Sequence, residues 1–186
     1  ISNVDILFSQ HSIPGEGMLL KKYSNSNIKI FSLNPMKPFI FEKPWSQGLE
    51  GKKVLIVHPF EKSIKKQFEE KDKIWSNVSY IVLPDFKLVT YKSISTLPGE
   101  YKPYKTWEKC LLKMFNDIRK IDFDIALVGC GSYGFPLANL IYKKLNKTAI
   151  NINIFHREKK FKNGWTFYIN QLVKTARLFR MKNAQR

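Results

Sequence analysis

Asp124-Ile125-Ala126-Leu127-Val128-Gly129-Cys130-Gly131-Ser132-Tyr133-Gly134 is the stretch on which the reading of this chain turns. An apolar run of strand type passes directly into G-x-G-x-x-G, and Phe135 to Lys144 then has the pattern of a helix. A strand, a glycine turn and a helix in that order form a phosphate-binding arrangement. The first glycine permits the tight turn, the second lets backbone approach phosphate, and the helix N-terminus offers unpaired N–H groups. Pro136 suits the first helical turn, where its missing donor costs nothing. A turn made only for close strand-to-helix packing would carry the same glycines. A dinucleotide site also wants an acid about twenty residues on; Asn151 and Asn153 stand there, which disfavours NAD.

Outward from this turn, strand and helix patterns alternate along the chain, which predicts an α/β fold, Rossmann-like and three-layered, with a mostly parallel sheet. Lys53-Val54-Leu55-Ile56-Val57-His58 is a continuous β-branched run of the kind buried on both faces of such a sheet. Val4 to Phe8, Ile28 to Leu33, Leu88 to Ser93 and Ala149 to Phe155 read as further strands, and Tyr80 to Leu83 as another or as part of the third. Helices are expected over Glu16–Tyr23, Glu61–Ile74 and Trp107–Lys120. The last of these presents Leu111, Leu112, Phe115 and Ile118 on one face. Pro35, Pro38 and Pro44 make residues 34–51 a crossing loop anchored by Trp45.

His58 ends a buried strand, and ligands of open parallel sheets bind beyond the carboxyl ends of the strands. His58 and Gly129 are therefore expected to face one cleft, with His58 as general base or as a holder of a phosphate oxygen. Asp122-Phe123-Asp124 has the form of a cation-holding D-x-D, but it precedes its strand and so belongs at the opposite end. Tyr101, Tyr104 and Trp107 beside Lys102 and Lys105 are either a stacking platform or a staple at a helix start. Cys110 and Cys130 lack metal-ligand spacing and read as small buried hydrophobes, and His11 and His156 carry no constellation.

The chain has 186 residues and a formal charge of +17. That is enough length for one core, burying roughly 70% of the surface exposed when unfolded. Nine of the cations (Arg157, Lys159, Lys160, Lys162, Lys174, Arg177, Arg180, Lys182 and Arg186) fall in the last 36 residues against one acid, Glu158. This basic tail, residues 156–186 with a helical pattern from Trp165 to Met181, would serve peripheral membrane or nucleic-acid contact. Nucleic acid is the weaker expectation, because Lys outnumbers Arg 27 to 5, as an AT-rich genome produces. The sequence holds no apolar run of membrane-spanning length and no signal-peptide order at its start, which gives a cytoplasmic expectation.

Two long segments resemble a bacterial family from polysaccharide gene clusters. One is Lys43-Pro44-Trp45-Ser46 with Leu49-Glu50-Gly51-Lys52-Lys53 through Phe60, and the other is Ile121 through Ala138. The family looks like glycosyltransferases of the GT-D fold. The resemblance implies a domain over 1–155 that lacks its N-terminal part, and a nucleotide-sugar donor, UDP-linked by expectation, held by Gly129, Gly131, Ser132, Tyr133 and Gly134. It further implies a glycan or glycoconjugate acceptor; His58, from its place at the strand end, is the candidate catalytic residue. It also implies a D-x-E motif upstream of the region where Ile1 begins. No D-x-E occurs in this chain, so no cofactor is expected within it, and a divalent cation is expected only with such a motif. The alternatives are a non-catalytic nucleic-acid or membrane-surface module built on the tail, and an oxidoreductase using a nucleotide cofactor at the same turn.

Overall fold

The computed structural model describes residues 1–9, 14–32, 34–38, 41–76, 79, 81–96 and 103–152. The expected basic tail, together with His11, Tyr101, Lys102, Asn153 and His156, lies outside the described residues. Two short strands, β1 (Ile6–Ser9) and β2 (Lys29–Ser32), pair in parallel around helix α1 (Glu16–Tyr23). The main sheet follows: β3 (Lys53–His58), helices α2 (Glu61–Glu69) and α3 (Lys71–Trp75), β4 (Lys87–Lys92), α4 (Trp107–Ile118), β5 (Ile125–Val128), α5 (Gly134–Leu145) and β6 (Thr148–Asn151). Its four strands are all parallel, in the order β4-β3-β5-β6.

Successive side chains of a strand point to opposite faces, so β3 and β5 each feed two cores. Leu55, Val57, Ala126 and Val128 pack with Cys110, Met114 and Ile118 of α4 and with Leu137 and Ile141 of α5. Val54, Ile56 and Leu127 pack on the other side with Ile64 of α2 and Leu49. Helices thus cover both faces. Each fully buried Leu, Ile, Val or Met contributes about 1.5–3 kcal/mol relative to exposure. β4 carries Lys87, Thr90 and Lys92 and is only half-buried, which suits a strand at the edge.

Several expectations need correction. β1 and β2 form a separate pair and do not join the main sheet. Residues 81–86 are not a strand: Ile81 is 61% exposed, while Val82 is buried and its carbonyl accepts from the Ser46 hydroxyl. The helix after β3 breaks at Glu70, giving α2 and α3. The buried stripe of α4 is Cys110, Leu111, Met114 and Ile118, and Leu112 is 51% exposed. In the proline-rich loop Pro44, Ser46 and Leu49 are buried among the described residues. Trp45 is half-buried and donates its indole N–H to the Met36 carbonyl at 3.2 Å.

Candidate functional site

The strand order reverses between β3 and β5: the strand after β3 lies on one side of it, and β5 and β6 lie on the other. At such a point the helices leave the sheet in opposite directions and open a crevice at the carboxyl ends of the strands. The backbone ladder runs one residue past each strand there. Ser93 N–H donates to the His58 carbonyl (3.2 Å), Gly129 N–H to that of Val57 (2.9 Å), and Ile152 N–H to that of Val128 (2.8 Å). His58, Gly129 and Ile152 therefore stand in one row along the sheet edge, and Ser93 lies one residue beyond Lys92, the partner of His58. These three and Ser93 line a cleft of about 230 Å³, together with the glycine turn and residues 94–96. The expected meeting of His58 and Gly129 is present.

His58 is buried, and its Nδ1 accepts the Phe60 N–H at 3.1 Å. With Nδ1 an acceptor, the neutral ring carries its proton on Nε2. Phe60 also lies beside the ring, with centroids 5.4 Å apart.

The glycines divide their work differently from the sequence reading. Gly131, not Gly129, holds the left-handed backbone, with φ of 60°, and a Cβ there would meet nothing within 4 Å. Gly129 is small for a packing reason, since a Cβ would come 3.0 Å from His58 Cδ2 and 3.3 Å from the Ile152 carbonyl oxygen. Gly134 is buried and helical. Tyr133 N–H bonds the Cys130 carbonyl (3.3 Å) and Gly134 N–H that of Gly131, so both close the turn itself. Gly131 and Ser132, just before this helix start, both line the cleft.

Tyr133 is 3% exposed, and its ring stacks on Trp107 at 5.1 Å with 9° between planes. Its hydroxyl pairs with Thr96 Oγ1 at 2.7 Å, and the Trp107 indole N–H donates to Ser132 Oγ at 3.3 Å. The start of α4 thus buttresses the turn: Trp107 has one face against Tyr133, and Tyr104 packs on the core. Cys130 is buried, and burial pushes its thiol up to about 12, so it is protonated at neutral pH. Cys110 is fully buried among apolar side chains.

Asp122 and Asp124 lie at the amino end of the sheet. The Asp122 carboxylate pairs with the Lys53 ammonium, and Asp124 Oδ2 accepts the Lys53 N–H at 2.7 Å. They fasten the start of β3 and do not reach the cleft. Among the described residues, no Lys, Arg, Asp or Glu lines the cleft, and no three His, Cys, Asp or Glu side chains cluster as a metal site. The residues present therefore give a divalent cation no carboxylate ligand there.

The sequence reading missed the segment Ser93-Ile94-Ser95-Thr96, which forms the wall opposite the turn. Its one signal was position, small hydroxyl residues directly after a strand. Among the described residues no helix is long and apolar enough to cross a membrane. Comparison of the chain with protein-family models, with curated proteins and with solved structures returned no match.

Proposed function

We propose that the chain is a Rossmann-like, three-layer glycosyltransferase domain of GT-D type, whose cleft receives the diphosphate of a nucleotide sugar. The observation that carries this reading is the cleft's position at the reversal of strand order, between His58 and the Gly129–Gly134 turn. Taken from β3 onward, the order is that of the flavodoxin-like doubly wound sheets, which hold a phosphate-bearing ligand at the equivalent point. The resemblance of residues 43–60 and 121–138 to the GT-D family supplies the reaction, transfer of the sugar to a glycan or glycoconjugate.

In this reading Gly131 and Ser132 present backbone N–H groups at the start of α5, and His58 presents Nε2–H from the other side. Fixed donors in a half-buried cleft hold the diphosphate and favour the charge it gains as the sugar leaves. A volume of about 230 Å³ is below the ~300–1,000 Å³ of sites that enclose a whole drug-sized ligand, so the cleft takes the phosphates and the adjoining ring while the rest of the nucleotide lies outside.

A thermal-shift panel of UDP, UDP-sugars, GDP, NAD, FMN and FAD tests the proposal. A ligand that binds only the native state raises the melting temperature by mass action. Stabilisation by UDP and a UDP-sugar is expected. A response to FMN, FAD or NAD without any to nucleoside diphosphates would instead favour the oxidoreductase.

A further inference from the structure

Ser93 extends β4 by one residue, 4% exposed, with its N–H fixed on the His58 carbonyl. Among the described residues its hydroxyl has no hydrogen-bond partner. A buried hydroxyl left unpaired costs free energy, and native structures hold few such groups, so each calls for a reason. Ser93 lines the cleft, one residue beyond Lys92, which pairs with His58. The wall it begins continues through Ser95 and Thr96 and offers hydroxyls but no charge. Thr96 reaches the turn through Tyr133, but Ser93, at the end of β4, stands two strand spacings from β5, on the order of 10 Å from the turn that would hold phosphate. An uncharged hydroxyl at that remove matches a polyhydroxylated ring and not a second anion.

We infer that Ser93 is a specificity-determining contact for the transferred sugar, its hydroxyl exchanging a hydrogen bond with a ring hydroxyl of the donor. The inference rests on the reading of the cleft as a nucleotide-sugar site. The oxygen is covered as the structure stands, and a serine side chain moves among three staggered positions about one torsion, so meeting the sugar takes one rotation.

The test is calorimetric titration of UDP, UDP-glucose, UDP-galactose and UDP-N-acetylglucosamine into the full chain and its Ser93→Ala variant, with thermal melts of both proteins. Removing an orphaned hydroxyl leaves the unliganded melting temperature unchanged or raises it. Affinity for the tightest UDP-sugar falls at least fivefold, while affinity for UDP changes less than twofold. Failure of the wild-type chain to bind UDP or any of the sugars would sink the nucleotide-sugar reading and this inference with it. Wild-type binding with equal loss for UDP and UDP-sugar, or with no loss, overturns the role of Ser93 alone. So does a lowered melting temperature in Ser93→Ala, which would mean that the hydroxyl is satisfied within the fold or by a buried water.

Discussion

The imidazole of His58 lies against the α-carbon of Gly129, so close that a methyl group on that carbon would come 3.0 Å from Cδ2. The two residues end neighbouring strands, and their packing joins the turn to the histidine as one unit. Gly129→Ala must move the ring or part β5 from β6, because the Ile152 carbonyl oxygen stands 3.3 Å away on the other side. A loss of about 1–3 kcal/mol is expected from such overpacking, read by denaturant unfolding, together with weaker UDP binding.

Gly131 behaves differently, because its constraint is backbone conformation in open space. Gly131→Ala places an L-residue at a φ of 60°, at a cost of roughly 1–2 kcal/mol. Asn tolerates that region, so Gly131→Asn should recover part of the stability. Gly131→Val adds bulk where phosphate oxygens would sit and should lower UDP affinity more than tenfold. Unchanged affinity in a folded Gly131→Val protein would remove the turn from the site.

For His58 the two ring nitrogens are separable by substitution. His58→Asn keeps an acceptor for the Phe60 N–H and deletes the Nε2 donor. Stability should fall less than in His58→Ala, which strands that N–H. UDP affinity should fall about tenfold in both, the scale of one hydrogen bond to a charged group. Retained affinity in the Asn variant would show that Nε2 does not reach the ligand.

Asp117 gives a pH dependence remote from the cleft. Its carboxyl is held below the usual carboxylate range, chiefly by the hydrogen bond from Lys113, which outweighs the opposing effect of burial, with a further lowering by the hydrogen bond from Tyr91. Because the folded value is depressed, the stabilisation is present above the ordinary carboxylate range near pH ~4 and is lost as pH falls through the lower folded value. Urea unfolding of wild type and Asp117→Asn should differ at pH 7 and converge toward pH 2. A constant difference across that range would contradict the pairing.

Cys130 acts in the opposite direction on the pH scale. Burial raises its thiol to about 12, above the ordinary value of roughly 8.5 for a free cysteine. Its stabilisation is therefore complete below that ordinary value and declines as pH rises toward 12. At pH 8 a thiol reagent should leave the folded protein unlabelled at Cys130 and label it after unfolding. Rapid labelling of the native chain would place the turn more open than described.

The main elements of the sheet were legible because β3 and β5 are unbroken apolar runs and the helices have a clear period. Pairing was not. Period two says how the faces of a strand alternate but not which strand lies beside it, so nothing in Ile6–Ser9 or Lys29–Ser32 declared that they stand apart from the main sheet. In α4 the near-continuous apolar sequence supports more than one stripe at helical spacing, and packing against α5 selected Met114 over Leu112. The meeting of His58 with Gly129 followed from the rule that ligands gather at carboxyl strand ends. Ser93 could not be added to them without knowing that β4 neighbours β3.

Among the described residues no Lys, Arg, Asp or Glu lines the cleft, and this sets the kinetics of capture apart from its strength. An anionic ligand drifting toward a chain of formal charge +17 is drawn in by a long-range field that salt screens over about 10 Å at 0.1 M. Once inside it is held by fixed dipoles at contact distance, which salt screens far less. Rising ionic strength should therefore slow arrival and leave residence time nearly constant, so that the surface of the molecule governs how often the cleft fills and its backbone governs how long it stays filled.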